Sequence, residues 1–345
     1  MKINVLSEYL QIEHPLIQAP MAGGATTPEL IAAVSNAGGL GSLGAGYMSG
    51  TQIKEAITQI RALTDKPFAV NLFIPSPHHA DQTTQQAMCD QLNHVGKPLD
   101  IDITPQPGPY QPDFDEQFAT VLETRPPIFS FTFGMLETPY IEELKKLGIT
   151  VIGTATSLIE AQALEHTGID IINAQGIEAG GHRGTFIGPE ETTQYTLRDL
   201  IPEIVAHTNL PVIAAGGIGD RETIKAALSL GAHGVQIGTA FLTTPEAGIH
   251  KAYKERLLTS MEDETCLTRA FSGKLARGIR NTYIKEMQGP YLTYPIQNAL
   301  TKPLRQAAAK QNNSEYMSLW CGQNGHLCQA TPAAELVKQW MSELL

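Results

Sequence analysis

"PVIAAGGIGDRETIKAALSLGAHGVQIGTAF", residues 211–241, holds two apolar runs separated by one amphipathic segment. "PVIAAGG" (211–217) and "GVQIGT" (234–239) are continuous apolar stretches, as strands are when a parallel sheet is covered on both faces. Between them, "DRETIKAALSLGAHG" opens on Asp and closes on Gly, the residue types that cap the two ends of a helix. The unit reads strand–helix–strand, and it recurs. Further candidate strands are "PLIQAPM" (15–21), "LGSLGAG" (40–46), "FAVNLF" (68–73), "IFSFTF" (128–133), "TVIGTA" (150–155) and "IDIINAQ" (169–175), with amphipathic stretches such as "SGTQIKEAITQIRALTD" between them. Eight such repeats closing on themselves, an α/β fold of the (β/α)8 TIM barrel type, is the most economical architecture. A doubly wound open sheet is the alternative, and the lack of a GxGxxG after the first strand counts against it.

Two regions depart from the repeat. Residues 75–115 are polar and Pro-rich and read as an insertion after strand 3. Residues 246–345 run on past the eighth strand and read as a mostly helical C-terminal extension over the barrel mouth. The expected division is therefore a barrel over 1–245, with its excursion at 75–115, and a substrate or lid region over 246–345.

Composition narrows the class. Of 345 residues, 42% are apolar and 17% charged, the balance of an ordinary globular protein. The net charge of −11 comes without a basic patch, which argues against a nucleic-acid or anionic-membrane partner. Cys89, Cys266, Cys321 and Cys328 form no CxxC pair and no metal-ligand spacing, so no metal is expected and a reducing compartment is the favoured reading. "MKINVLSEYLQIEHP" has no apolar signal core, and no apolar run reaches 18 residues, so a cytoplasmic protein is expected.

In a barrel of this kind, chemistry gathers where the C-terminal strand ends meet their loops. "AAGGIGD" (214–220) and "QIGTAF" (236–241) end the last two strands, and glycines there let the backbone approach a phosphate. The helix that follows is expected to offer its unpaired N–H groups to the same anion, with Thr239 adding a hydroxyl. "QAPM" (18–21), Asn71 and Gln175 end other strands, and their amides and backbone groups suit the edge of an isoalloxazine ring. After strand six, "AQGIEAGGHRGTF" (174–186) sets an imidazole and a guanidinium directly behind a Gly-Gly pair. On the residues alone, His182 stands evenly between a ligand contact and simple loop bonding.

"APMAGGATTPELIAAVSNAGGLGSLGAGY", "FAVNLF", "AQGIEAGGHRGTF", "AAGGIGD…GAHGVQIGTAF" and "YPIQNALTKPLR" together resemble the nitronate monooxygenase family, formerly 2-nitropropane dioxygenase, in its class I branch. The resemblance spans roughly residues 12–310. It implies an FMN-dependent barrel that oxidises alkyl nitronates with O2, typically propionate 3-nitronate, to an aldehyde or ketone and nitrite by way of a flavin semiquinone. It implies that His182 is the active-site histidine, with Gly180 and Gly181 letting its loop run close against the flavin. Met21, Asn71, Gln175, Gly180, Gly217, Gln236, Ile237, Gly238 and Thr239 match cofactor-binding positions, and Tyr110, Tyr294 and Lys302 match positions lining the substrate pocket. Arg183 is expected to brace the loop or bind a carboxylate. Lys274 in "FSGKLARGIRN" stands where the family pattern has Arg, which puts a bidentate contact there in doubt. An imidazole beside an anionic substrate would favour its protonated form and anchor that anion. The partners implied are the nitronate and O2, and a homodimer is possible. The rivals are an FMN-dependent NAD(P)H reductase of an enoyl thioester or quinone, a flavin-free barrel binding a sugar phosphate, and a non-catalytic flavin protein.

Overall fold

A computed structural model describes residues 5–342. Eight parallel strands form the barrel: β1 Leu16–Gln18, β2 Gly41–Gly44, β3 Phe68–Phe73, β4 Ile128–Thr132, β5 Thr150–Ala155, β6 Ile171–Gln175, β8 Val212–Ala215 and β9 Gly234–Ile237. A two-residue strand, β7 (Gly181–His182), lies outside that wall between β6 and β8 in sequence. The wall runs β1-β9-β8-β6-β5-β4-β3-β2, every pair parallel. Its seam is closed by Gln18 N donating to Leu40 O and Leu40 N donating to Leu16 O, each at 2.9 Å. The Gln18 side chain crosses the same seam, its Oε1 accepting from Ser42 N at 3.0 Å. Each expected strand is present and the TIM barrel holds.

Residues two apart on a strand share a face, and the barrel uses that period to change character along its axis. Low in the barrel the inward positions are Ile17, Ala69, Ile128, Ile152, Ile171 and Ile213, all buried. Leu6 and Leu10, on the helix Val5–Leu10, plug this apolar end. Two residues higher the register brings Asn71 beside Ser130 and Thr154 beside Asn173. These polar groups satisfy one another: Asn71 Nδ2 donates to Ser130 Oγ at 2.9 Å, and Asn173 Nδ2 to Thr154 Oγ1 at 3.3 Å. The barrel is thus dry at one end and polar at the other.

The excursion after β3 contains the helix Gln82–Val95, capped by Asp81, and its Met88, Cys89, Leu92 and Val95 face inward. They join Phe271, Tyr283, Ile296, Leu300 and Leu304 from the C-terminal extension in one second core above the mouth. The extension is less uniformly helical than expected. It contributes β10 (Thr265–Thr268) and β11 (Ala276–Ile279), which make a three-stranded antiparallel sheet with β7. Its last helix, Ala333–Met341, leaves the mouth altogether and packs against the helices Pro28–Asn36 and Arg221–Ser229, in the position an eighth barrel helix would take. Trp340 there meets Phe241 edge-on at 5.4 Å. Where the chain departs from the barrel and where it returns lie side by side: Thr243 Oγ1 donates to Gln329 O at 2.8 Å, and Ala333 N donates to the Glu246 carboxylate at 3.1 Å. All four cysteines are free, and no helix among the described residues is long and apolar enough to cross a membrane.

Because Trp340 is only 4% exposed in the main core, Trp340→Ala is expected to destabilise the fold by about 3–5 kcal/mol. Chemical denaturation would measure this, and a loss near zero would show that the returning helix is not part of the barrel wall.

Candidate active site

At the polar end of the barrel lies a cavity of about 840 Å³, roofed by the second core. Its floor is the inward layer Asn71, Ser130, Thr132, Thr154, Asn173 and Gln175. The Asn173 Oδ1 is buried and has no partner in the chain.

At one end, Gly216 (φ +133°) and Gly217 (φ +63°) follow β8, both in backbone conformations that disfavour a side chain. A Cβ on Gly216 would sit 3.0 Å from Ala179 N. The N–H groups of Gly217 and Gly238 have no hydrogen-bond acceptor among the described residues. The helix Arg221–Ser229 spends its Thr223 amide on its own cap. Its own N-cap, Asp220, accepts from Thr223 N at 2.8 Å, while Thr223 Oγ1 accepts from Gly219 N and Asp220 N at 3.1 Å. The cradle is made of the Gly216–Gly219 loop together with Gly238, Thr239 and Ala240 at the start of the short helix Thr239–Leu242, and the C-terminal extension completes it. Gly322 N donates to Thr239 Oγ1 at 3.0 Å, and Asn324 Nδ2 to Gly217 O at 2.5 Å.

His182 stands at the other end, on β7, in antiparallel register with Ala276 of β11. Its loop is held from three sides. Arg183, only 1% exposed, donates to Gln175 O, Gly176 O and Thr193 O at 2.7–2.9 Å, so it braces the loop. Glu160, fully buried, accepts from Phe186 N and Ile187 N. Gln175 donates to His182 O at 3.0 Å and accepts from Gly184 N at 2.8 Å, so part of its amide serves the loop itself. The expected reason for Gly180 changes: a Cβ there would lie 2.5 Å from Gly322 N, so the close approach is to the extension's backbone. Gly181 needs its own left-handed φ of +78°.

The His182 ring is boxed by Trp320 at 5.1 Å and by Phe133 and Tyr294 at 6.0 Å, and its Nε2 lies 2.7 Å from Ser272 Oγ. Enclosure first, and then the nearby Lys274 and Arg305 charges, pull its pKa down to about 3. That shift favours the neutral imidazole, and the protonated anchor expected above needs an anion beside the ring. The positive charge sits elsewhere. Lys274 Nζ bonds Glu190 at 2.9 Å, beside Arg269, which holds the same carboxylate at 2.7 Å. A point charge thus suffices where the family pattern has the planar fork.

Of the sequence-derived residues, Met21, Asn71, Gln175, Gly180, His182, Gly217, Gln236, Gly238, Thr239, Tyr110 and Lys302 all line this one cavity. Ile237 does not: its side chain is fully buried in the main core. Tyr294 stands behind the wall, packed on His182 and Phe133, with its hydroxyl buried. Tyr110 is fixed by a bond from Gln85 Nε2 at 3.0 Å. Lys302 is exposed at the rim with no ion-pair partner. Reading the sequence missed Arg305, one helical turn beyond Lys302. Its Nη2 donates to Asn298 O and Oδ1 at 2.7 and 3.0 Å, and its buried Nε donates to nothing. The i, i+3 spacing from Lys302 was the available signal.

A barrel mouth with free backbone N–H groups at one end, an amide floor and an enclosed histidine has the make-up of an enzyme's active site. The family described as nitronate monooxygenase matches residues 4–343. The chain is 42% identical, over 99% of its own length and 97% of the other's, to a protein of Staphylococcus haemolyticus named "Probable nitronate monooxygenase". In structure it is similar to a nitroalkane oxidase from Streptomyces ansochromogenes, with a TM-score of 0.91 and 38% identity, covering 98% of this chain and 97% of that one. It is also similar to FabK from Thermotoga maritima, with a TM-score of 0.77 and 30% identity, covering 100% and 98%. The chain belongs to the nitronate monooxygenase family, and it is an enzyme.

The depressed histidine pKa has a measurable sign. An unfolded chain takes up a proton at His182 near pH 6.5, while the folded protein does not until about pH 3. Stability contributed here is therefore full above pH 6.5 and is lost as pH falls toward 3. The His182 ring resonance, assigned by its loss in His182→Asn, is expected not to titrate between pH 5 and 8. A midpoint near 6.5 would show that the enclosure is not felt.

Proposed function

We propose that the protein binds FMN and oxidises alkyl nitronates with O2, propionate 3-nitronate being the substrate type, to an aldehyde or ketone and nitrite. The observation that carries this reading is the charge of the cavity. In a chain of net charge −11, its wall includes Lys302 and Arg305 and, among the described residues, not one Asp or Glu. A buried guanidinium without a carboxylate is costly, and an anionic ligand offsets that cost.

The residues fit the cofactor. The free N–H groups of Gly217 and Gly238 suit a phosphate, which needs donors close in and no negative neighbour. Asn71, Asn173, Gln175 and Gln236 suit the mixed donors and acceptors of an isoalloxazine edge. FMN, when bound, supplies the electron-accepting ring. The protein's part is to place the nitronate. Lys302 meets the anion at the rim and Arg305 holds it inside, so the carbon lies beside the ring in a water-poor pocket. Aromatic side chains at Phe73, Phe133 and Trp320 exclude solvent around His182. In the net reaction one O2 serves two nitronate anions: each carbon gains one oxygen atom, each C–N bond breaks, and each nitrite leaves with the negative charge. With a neutral nitroalkane, the neutral His182 can take the α-proton and generate the nitronate in place.

The purified protein is expected to be yellow, to release FMN and not FAD on acid treatment, and to form nitrite from a nitronate in air. Release of FAD, or flavin bleaching by NADH with no nitrite from any nitronate, would overturn the reading in favour of a reductase. Gly217→Asp sets a carboxylate against the phosphate and is expected to abolish flavin retention; unchanged occupancy would place the phosphate elsewhere. Arg305→Gln is expected to raise KM for nitronates about tenfold or more, the scale of one charged hydrogen bond, with kcat much less affected.

A further inference from the structure

We infer that Ser272 is a positioning residue: its hydroxyl accepts the Nε2 proton of His182, fixing one tautomer of the ring and turning the bare Nδ1 toward the cavity. This deepens the reading above, since it concerns how the same site would handle a proton.

The argument is an inventory of donors and acceptors. Ser272 is fully buried, so water does not complete its bonding. Three groups lie within reach of Oγ: His182 Nε2 at 2.7 Å, Lys274 O at 3.2 Å and Lys274 N at 3.3 Å. A serine hydroxyl offers one proton and two lone pairs. Lys274 O can only accept, so it takes the proton. Lys274 N–H can only donate, so it takes one lone pair. The remaining lone pair faces Nε2, which must then carry a hydrogen. With the opposite tautomer the hydroxyl proton would go to Nε2, and Lys274 O would lose its bond.

The serine has nowhere else to go. Gly273 has φ +81°, and a Cβ there would lie 2.0 Å from Leu292 O, so the turn is packed flat against its neighbour. Gly273 N donates to Arg269 O at 2.8 Å, Tyr283 Oη to Ala270 O at 3.1 Å, and Thr301 Oγ1 to Phe271 O at 2.5 Å. The turn is thereby tied in place on both sides of Ser272. Orientation of the imidazole is a separate matter, because Trp320, Phe133 and Tyr294 already box the ring. What Ser272 adds is the location of the proton. The second ring nitrogen, Nδ1, has no hydrogen-bond partner among the described residues, and His182 lines the cavity. The groups facing the ring are Lys274 and Arg305, both cationic, and Tyr294, a buried phenol. None of them is a base that would compete for the Nε2 proton.

The test reads the tautomer directly. In 15N-histidine-labelled holoenzyme, His182 is assigned by its disappearance in His182→Asn. Two-bond 1H–15N correlations are expected to show Nε2 protonated and Nδ1 bare in the wild type. In Ser272→Ala the two nitrogen shifts are expected to move toward each other, as both tautomers become populated. Alongside, kcat for a neutral nitroalkane is expected to fall tenfold or more at matched flavin content, while kcat for the preformed nitronate changes less than threefold. A wild-type ring protonated on Nδ1, or identical nitrogen shifts in Ser272→Ala, would overturn the inference and leave Ser272 a packing residue. If the wild type turned over neither substrate, the nitronate reading would fall, and the nitrogen shifts would still decide the role of Ser272.

Discussion

The site depends on the pairing of two very short strands. Gly181–His182 would be an ordinary loop at the barrel mouth were it not laid antiparallel against Ala276–Arg277. That pairing does two things. It holds the imidazole at a fixed height over the polar floor, and it brings the 272–275 turn, with its serine and lysine, to the ring. Arg183 and Glu160 make the arrangement rigid from below by gathering the loop's backbone groups, so the strand end, the histidine and the extension move as one piece.

Charge is sorted with similar economy. Carboxylates near the site are turned outward or used up: Glu190 is shared by Lys274 and Arg269, Asp220 caps a helix, and Glu160 holds backbone. The cations Lys302 and Arg305 are left without such partners, and their field is not cancelled inside the cavity. Burial first, and then the Lys274 and Arg305 charges, hold the pKa of His182 down. An anion entering the cavity would offset those charges and raise the affinity of His182 for a proton, so occupancy and protonation are coupled.

What could be read from the sequence was what is local. Each barrel strand announces itself as a continuous apolar run, and the inward and outward faces follow from the period of two. Gly216 and Gly217 are visible because a strand end followed by two glycines has few other uses. His182 was visible only together with the residues around it. The missing parts are long-range. Ser272 lies 90 residues from His182, and Asn324 lies 107 from Gly217. Nothing in a serine within "FSGK" tells that it meets an imidazole. For Tyr294 and Ile237 a matching position says which residue recurs and not whether its side chain lines the cavity, and both side chains are buried beside it. The helix Arg221–Ser229 spends the Thr223 amide on its own N-cap aspartate, which is plain in the sequence.

The hydrogen bond from Thr243 to Gln329 and the capping of Ala333 by Glu246 carry an evolutionary consequence. Everything between these anchors is a module inserted into the connection between the last barrel strand and the last barrel helix, and its two ends meet. A segment whose ends are adjacent can be lengthened, shortened or exchanged at little cost to the parent fold, because closing it constrains the chain hardly more than a short loop would. The barrel keeps the groups suited to a phosphate and a ring, while the exchangeable module carries Ser272, Lys302 and Arg305. Relatives with the same barrel can therefore diverge by rewriting one contiguous stretch of gene, so long as the contacts of Gly322 and Asn324 with the barrel's strand ends and the pairing with His182 are kept.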